Sequence, residues 1–165
     1  MLKLSKFTIG FSIFTILSAF FMRQVLEFFD KVFGVNNMRM FFASVGLVAI
    51  FYLFFNLIKK KSGFLKIAVN LLVIILAVMY WQGFDIFEER THLLQYGLIG
   101  YLAIKDFQKA NKPIRAIIFA AVFILLVGSL DEIFQRFIPW RVGDIRDVFA
   151  DLISGIFGVI LYILR

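Results

Sequence analysis

The sequence predicts an all-α, polytopic membrane helix bundle of about six spans, with an interfacial amphipathic helix after the first. Three observations predict it. Of 165 residues, 62% are hydrophobic and mean hydropathy is +0.92, whereas a soluble domain is about half apolar. Nearly uncharged apolar runs recur at lengths suited to a hydrocarbon core about 30 Å thick. The basic residues sit between those runs instead of forming one patch, so the net charge of +7 reads as a topology signal and not as a nucleic-acid surface. The chain contains no cysteine, which excludes disulfides, thiol catalysis and Cys-ligated metal. Its length suits one domain, 1–165.

The spans are expected near 5–22, 40–58, 64–81, 91–106, 114–133 and 146–164. The first follows a basic start and resembles a signal peptide, but no small-x-small cleavage site follows, so it reads as an uncleaved span. In "RQVLEFFDKVFGVNN", Arg23, Glu27, Asp30 and Lys31 form a polar stripe, and Leu26, Phe29 and Phe33 an apolar one. That pattern predicts an amphipathic helix lying in the interface. Lys59, Lys60, Lys61 and Gly63 form the turn between the second and third spans. "KDFQKANKPIR" joins the fourth to the fifth, and its Asn-Lys-Pro suits a turn just before a helix start.

Orientation follows from the basic residues. With six spans, Lys3, Lys6, Lys59, Lys60, Lys61, Lys66, Lys105, Lys109, Lys112, Arg115 and Arg165 share one side. Arg23, Lys31, Arg39, Arg90, Arg136, Arg141 and Arg146 share the other. The richer side is cytoplasmic by the positive-inside rule, which places both termini there in a multi-pass protein of the cell membrane. Of the acids, only Asp106 falls inside. Tyr80, Trp81 and Trp140 suit an outer aromatic belt.

Three helices then carry ionisable groups to a similar depth. At a rise of about 1.5 Å per residue, His92 lies about 20 Å above Lys105. On the same scale Asp151 lies about 21 Å above Arg165, and Asp131 and Glu132 about 24–26 Å above Arg115. Charges at such depth face a protein interior or a wet cavity. Glu88, His92, Tyr96 and Gly100 share one face of the fourth span. Asp144, Asp147, Asp151, Gly155 and Gly158 share one face of the sixth, and Asp131, Glu132 and Gln135 cap the fifth. Glycines below the polar groups allow close helix packing. An outward-facing polar pocket between spans four, five and six is expected, with spans one to three as its support.

His92, the only histidine, suits acid–base work, with Glu88 one turn away to orient it, or a structural hydrogen bond between helices. The acids suit acid–base chemistry, partnership with buried Arg, or a cation site. Mg²⁺ or Ca²⁺ is the lesser alternative because the Arg residues neutralise the cluster; zinc lacks its usual N/S set, and no metal ligands or cofactor are assigned. Arg136, Arg141 and Arg146 either clamp a phosphate or carboxylate or pair with Asp131, Asp144 and Asp147. Arg141, fixed behind Pro139-Trp140, is favoured for ligand contact. Asn70 and Ser154 suit helix–helix hydrogen bonds. There is no Ser-His-Asp order, Walker loop or HExxH.

Residues 88–158 resemble the VanZ-like family of membrane proteins associated with teicoplanin resistance. The resemblance lies in "EERTHLLQYGLIGYL" and "SLDEIFQRFIPWRVGDIRDVFADLISGIFG". The family pattern has an acid four before a His and a Tyr four after it, matched by Glu88, His92 and Tyr96. Asp-Glu-x-x-Gln, an Arg, and Asp-x-x-Asp before a glycine-spaced helix are matched by Asp131, Glu132, Gln135, Arg141, Asp144, Asp147, Gly155 and Gly158. Glu89 stands where Lys is common, and Asp151 where Asn is common. The resemblance implies a bacterial cell-envelope protein acting at the outer leaflet on a membrane lipid or lipid-linked cell-wall precursor, and associated with glycopeptide resistance. His92, Glu132 and Asp147 would then be the candidates for catalysis. Glu88, Tyr96, Asp131, Gln135, Arg141, Asp144 and Asp151 would be those for ligand binding. Two other expectations stay open: a membrane-embedded hydrolase or transferase on a polyprenyl- or phospholipid-linked substrate, and a non-catalytic assembly protein.

Overall fold

The computed structural model describes residues 3–59, 63–83, 87–139, 141 and 143–165. Lys60, Lys61 and Trp140 lie outside them, as does the side chain of Glu88. Seven α-helices account for the described regular structure: α1 (Lys6–Ser18), α2 (Met22–Phe33), α3 (Val35–Lys59), α4 (Phe64–Gln82), α5 (Phe87–Phe107), α6 (Pro113–Gln135) and α7 (Ile145–Leu164).

Local chemistry sets the boundaries. Ser5 caps α1 by accepting from the Thr8 amide at 3.2 Å, which satisfies one of the amides left free at a helix start. After Ser18 three short-range bonds, from Ala19 to Ile16, Phe20 to Leu17 and Phe21 to Ser18, tighten the chain. The path then turns by 70° into α2. This is the amphipathic helix expected from the sequence, with Arg23 and Glu27 paired at 3.1 Å on its polar face. Of its apolar stripe, Leu26 is buried while Phe29 and Phe33 stay exposed. Gly34 ends α2 at φ +78°, a conformation that a Cβ disfavours. Pro113 opens α6, where a missing amide hydrogen costs nothing. Asp144 caps α7 through the Arg146 amide at 2.9 Å.

α4, α6 and α7 are long and apolar enough to cross a membrane, and the bent α1–α2 pair makes a fourth if taken as one span. This is fewer than the six expected from sequence, for identifiable reasons. α1 alone has 13 residues, about 20 Å of helix. The apolar part of α3 runs only from Ser44 to Lys59. α5 carries Glu88, Glu89 and Arg90 at one end and Lys105 and Asp106 at the other.

The centre of the fold is α5 against α7, with α6 packed on both. Tyr96, Ile99, Ala103 and Ile104 of α5 meet Ala116, Ala120, Ile124 and Val127 of α6 and Val159 of α7. The α5–α7 seam is glycine on glycine. A Cβ on Gly100 would overlap the Gly155 carbonyl, and one on Gly158 would overlap that of Gly97. α1 leans on α5 and α6, α4 on α7, and α2 and α3 lie outside.

Polarity is arranged inside out. On α1 the buried residues are Thr8, Ser12, Thr15 and Ser18, while Phe7, Ile9, Ile13, Phe14 and Leu17 are exposed. The outer faces of α4, α6 and α7 expose Leu72, Ile75, Leu126 and Phe149 among others. In water so large an apolar surface would aggregate; against lipid tails it is the solvated face.

Candidate functional site

The helix ends sort into two groups. At one end Asp106, near the end of α5, receives the Ser5 amide at 2.8 Å, the Thr8 hydroxyl at 2.6 Å and Lys109 Nζ at 2.8 Å. Lys66 Nζ donates to the Arg165 carbonyl at 3.1 Å, and Asn70 Nδ2 to that of Leu164 at 3.4 Å. Arg165 donates to the Tyr101 hydroxyl at 2.9 Å and lies 3.8 Å from the Tyr162 ring centroid. Asn70 thus bridges helices, as expected, while also donating to the Lys66 carbonyl of its own helix at 2.8 Å. Ser154 instead donates to its own helix, at the Ala150 carbonyl.

The other end holds the sequence-predicted site residues. Asp131 lies one turn from the end of α6, His92 in the second turn of α5, and Asp151 in the second turn of α7. The cluster is therefore about 6–9 Å inside the helix ends. His92 Nδ1 faces Asp151 Oδ1 at 3.1 Å. The Tyr96 hydroxyl donates to Asp131 Oδ2 at 3.0 Å, and its ring lies against the imidazole with centroids 5.8 Å apart. It also faces Asp151, but one hydroxyl proton serves one carboxylate at a time. Side-chain exposure is 1% for Asp151 and 17% for His92, so the imidazole forms the mouth of the cluster and the carboxylates its floor.

Above this floor a second network ties α6 to the connection into α7. Gln135 Nε2 donates to Glu132 Oε1 at 3.1 Å, and the Asp144 amide donates to Glu132 Oε2 at 2.9 Å. Arg141 Nε donates to Gln135 Oε1 at 3.2 Å. Both Glu132 oxygens are thereby engaged, and Asp144 caps α7, so these two residues shape the connection. Gly143 fits because a Cβ there would overlap the Glu132 carbonyl and stand 2.8 Å from Arg136 Cγ. Asp147 is half-buried on the face of α7 that carries Asp151, within electrostatic reach of His92, Arg141 and Asp144. Arg141 is likewise within reach of His92 and Asp131.

The structure therefore brings His92, Tyr96, Asp131 and Asp151 into one tier, and Glu132, Gln135, Arg141 and Asp144 into the next, with Asp147 beside both. Glu88, which the sequence offers for orienting His92, has its side chain outside the described residues; Asp151 orients His92 through Nδ1. That contact fixes Nδ1 and leaves Nε2 for another partner, the arrangement in which an imidazole serves as base or ligand. Three features escape the sequence reading. Gly128 makes room for Asp151: a Cβ there would lie 3.3 Å from its Cβ and Oδ2. Gly97 supplies the backbone against which Gly158 packs. Thr8 and Ser5 anchor Asp106. Gly128 was findable, since it precedes Asp131 by three and so shares its helical face. No protein-family model, curated protein or solved structure matches the chain.

Proposed function

We propose that this chain is a VanZ-like integral membrane protein of the bacterial cell envelope, crossing the membrane six times with both termini in the cytoplasm. Its polar cluster would engage a membrane lipid or lipid-linked cell-wall precursor at the outer leaflet and so alter sensitivity to glycopeptides. The observation that carries this reading is the burial of Asp131 and Asp151, with His92 partly buried beside them, between three helices whose outer faces are apolar. Ionisable groups in that setting are costly and mark ligand or ion sites. The six-crossing path is supported by the contacts of Ser5 and Thr8 with Asp106, and of Asn70 and Lys66 with Leu164 and Arg165. They gather the start of α1, the first turns of α4, the end of α5 and the end of α7 at one side. α1, α3 and α5 then cross with polar or charged ends, and α2 lies in the outer interface. Arg141 suits an anionic head group, because a guanidinium forks onto phosphate or carboxylate oxygens.

A second reading, a hydrolase or transferase on a lipid-linked substrate, is favoured by the His92–Asp151 dyad. There His92 is the base through Nε2, and Arg141 holds the anionic group. Product formation from envelope lipids by the purified protein separates the two readings. Because the chain has no cysteine, topology is directly testable. Asn111→Cys should react with an impermeant thiol reagent only from the cytoplasmic side, and Gly83→Cys only from outside. The reverse pattern would remove the outer-leaflet site.

A further inference from the structure

His92, Asp131 and Asp151 each present a ligand-type atom, and these three atoms lie within 4.8 Å of one another. They come from three different helices, so the fold and not a local motif assembles them. Asp131 and Asp151 are each 1% exposed. Among the described residues, Asp131 Oδ1 and Asp151 Oδ2 make no hydrogen bond. A buried polar atom left unsatisfied costs on the order of 1–3 kcal/mol, and native structures hold few of them. Here two fall in one cluster, beside an imidazole.

We infer that His92, Asp131 and Asp151 form a binding site for a divalent cation, with one imidazole nitrogen and one oxygen of each carboxylate as ligands. Adjacent ligands on a cation with bonds of about 2.0–2.2 Å stand about 3.0–3.5 Å apart. The 3.1 Å between His92 Nδ1 and Asp151 Oδ1 already has that spacing, so a cation would displace the proton they share and take its place, an alternative to the state in which Nδ1 holds that hydrogen bond and Nε2 is the free nitrogen. The third atom, from Asp131, lies within 4.8 Å of the other two. The donor set decides the cation class. Mg²⁺ and Ca²⁺ favour oxygen alone, while an imidazole with two carboxylates suits Mn²⁺ or Zn²⁺. Tyr96 orients Asp131 through Oδ2, the outer hydrogen bond that metal-ligating carboxylates usually have. Gly128 leaves the space that Asp151 occupies. Three protein ligands leave a coordination position open, beneath the mouth at His92 and within electrostatic reach of Arg141. A cation there would accept an oxygen of an anionic head group that Arg141 also holds. Only that last step rests on the envelope-ligand reading; cation binding itself does not.

The full chain, purified in detergent without a polyhistidine tag, stripped with chelator and re-equilibrated with Mn²⁺ or Zn²⁺, should retain close to one ion per chain by elemental mass spectrometry. Bound Mn²⁺ should also lose its sharp aqueous paramagnetic resonance signal. His92→Ala, Asp131→Asn and Asp151→Asn should each weaken retention by at least about 100-fold, and Tyr96→Phe by about tenfold. Asp106→Asn should retain the ion. The thermal transition of stripped protein should rise with added cation in the wild type and not in Asp151→Asn, which separates lost binding from lost folding. No retention and no thermal shift in folded wild type would overturn the site. So would equal retention by the three ligand variants, which would place the metal elsewhere. Reversed thiol labelling would overturn the envelope reading and leave the metal content unaltered, so the two ideas fail separately.

Discussion

Gly158→Ala is the sharpest test of the α5–α7 seam. The new methyl would overlap the Gly97 carbonyl oxygen and stand 2.7 Å from its carbon and 2.9 Å from the Tyr101 nitrogen. Carbon contacts are comfortable at about 3.5–4.0 Å, so α7 must retreat by about 1 Å. The obstacle is helix backbone, which cannot swing aside as a side chain does. Overpacking of this kind costs about 1–3 kcal/mol, and rigid neighbours put Gly158 in the upper part of that range. For a chain of 165 residues, each kcal/mol moves the transition by roughly 2–4 °C on soluble-domain scaling. A drop of about 5–10 °C follows on that scaling, read in detergent by intrinsic Trp fluorescence. Two controls fix the interpretation. Gly97→Ala places its methyl 3.6 Å from the Ser154 carbonyl, an ordinary contact, and should be nearly neutral. Gly10→Ala meets nothing within 4 Å and should be neutral, or gain up to about 1 kcal/mol from helix propensity. If Gly158→Ala melted with Gly10→Ala, the close seam, and with it the assembly of the polar cluster, would be wrong.

Other expectations follow from the two ends of the bundle. Asp106→Asn removes a charge that three donors serve, and charge-assisted hydrogen bonds contribute about 1.5–3 kcal/mol each; its transition should fall while any ligand activity per folded molecule stays level. Glu132→Gln and Arg141→Lys probe the upper tier. Their activity normalised to membrane abundance should fall for Arg141→Lys, which loses the guanidinium fork, whereas Glu132→Gln should lose abundance and activity in parallel. Expressed in a sensitive Gram-positive host, the chain should lower susceptibility to teicoplanin more than to vancomycin, because teicoplanin's acyl tail keeps it close to the membrane. Unchanged susceptibility to both at verified expression would remove the resistance half of the proposal.

Much of the site was legible because depth in a helix is arithmetic. Counting from the basic ends placed His92, Asp131 and Asp151 together, and 3.6-residue periodicity put Gly155 and Gly158 under the acids. Partner choice was not legible. Which carboxylate meets His92 depends on how α7 rotates against α5, and the close glycine contacts fix that rotation. The role of Asp144 as a cap was available from its place before an apolar helix, yet the sequence reading gave it as a ligand candidate. α1 was hardest. Apolarity alone marked it as a span, and the spacing of Thr8, Ser12, Thr15 and Ser18 was the overlooked signal that it packs by a polar face. Its end at Ser18 and the 70° turn have no strong breaker in the sequence, only the phenylalanines that follow.

The contrast between Asp106 and the Asp131–Asp151 pair separates architecture from function within one molecule. All three carboxylates are buried. Asp106 accepts a backbone amide, a hydroxyl and an ammonium, so its burial is compensated by the protein itself and its task ends with holding α1 to α5. Asp131 and Asp151 each bond through one oxygen and leave the other unserved among the described residues. Replacing a buried polar group by a well-packed apolar one is often neutral or stabilising, and the glycine seam already provides the packing between α5 and α7. Stability therefore gives no reason for two incompletely satisfied acids at the His92 end of the bundle. What they lack is a partner carrying positive charge or protons from outside the chain, and the imidazole, 17% exposed against 1% for Asp151, is the side of the cluster that faces outward from the protein interior.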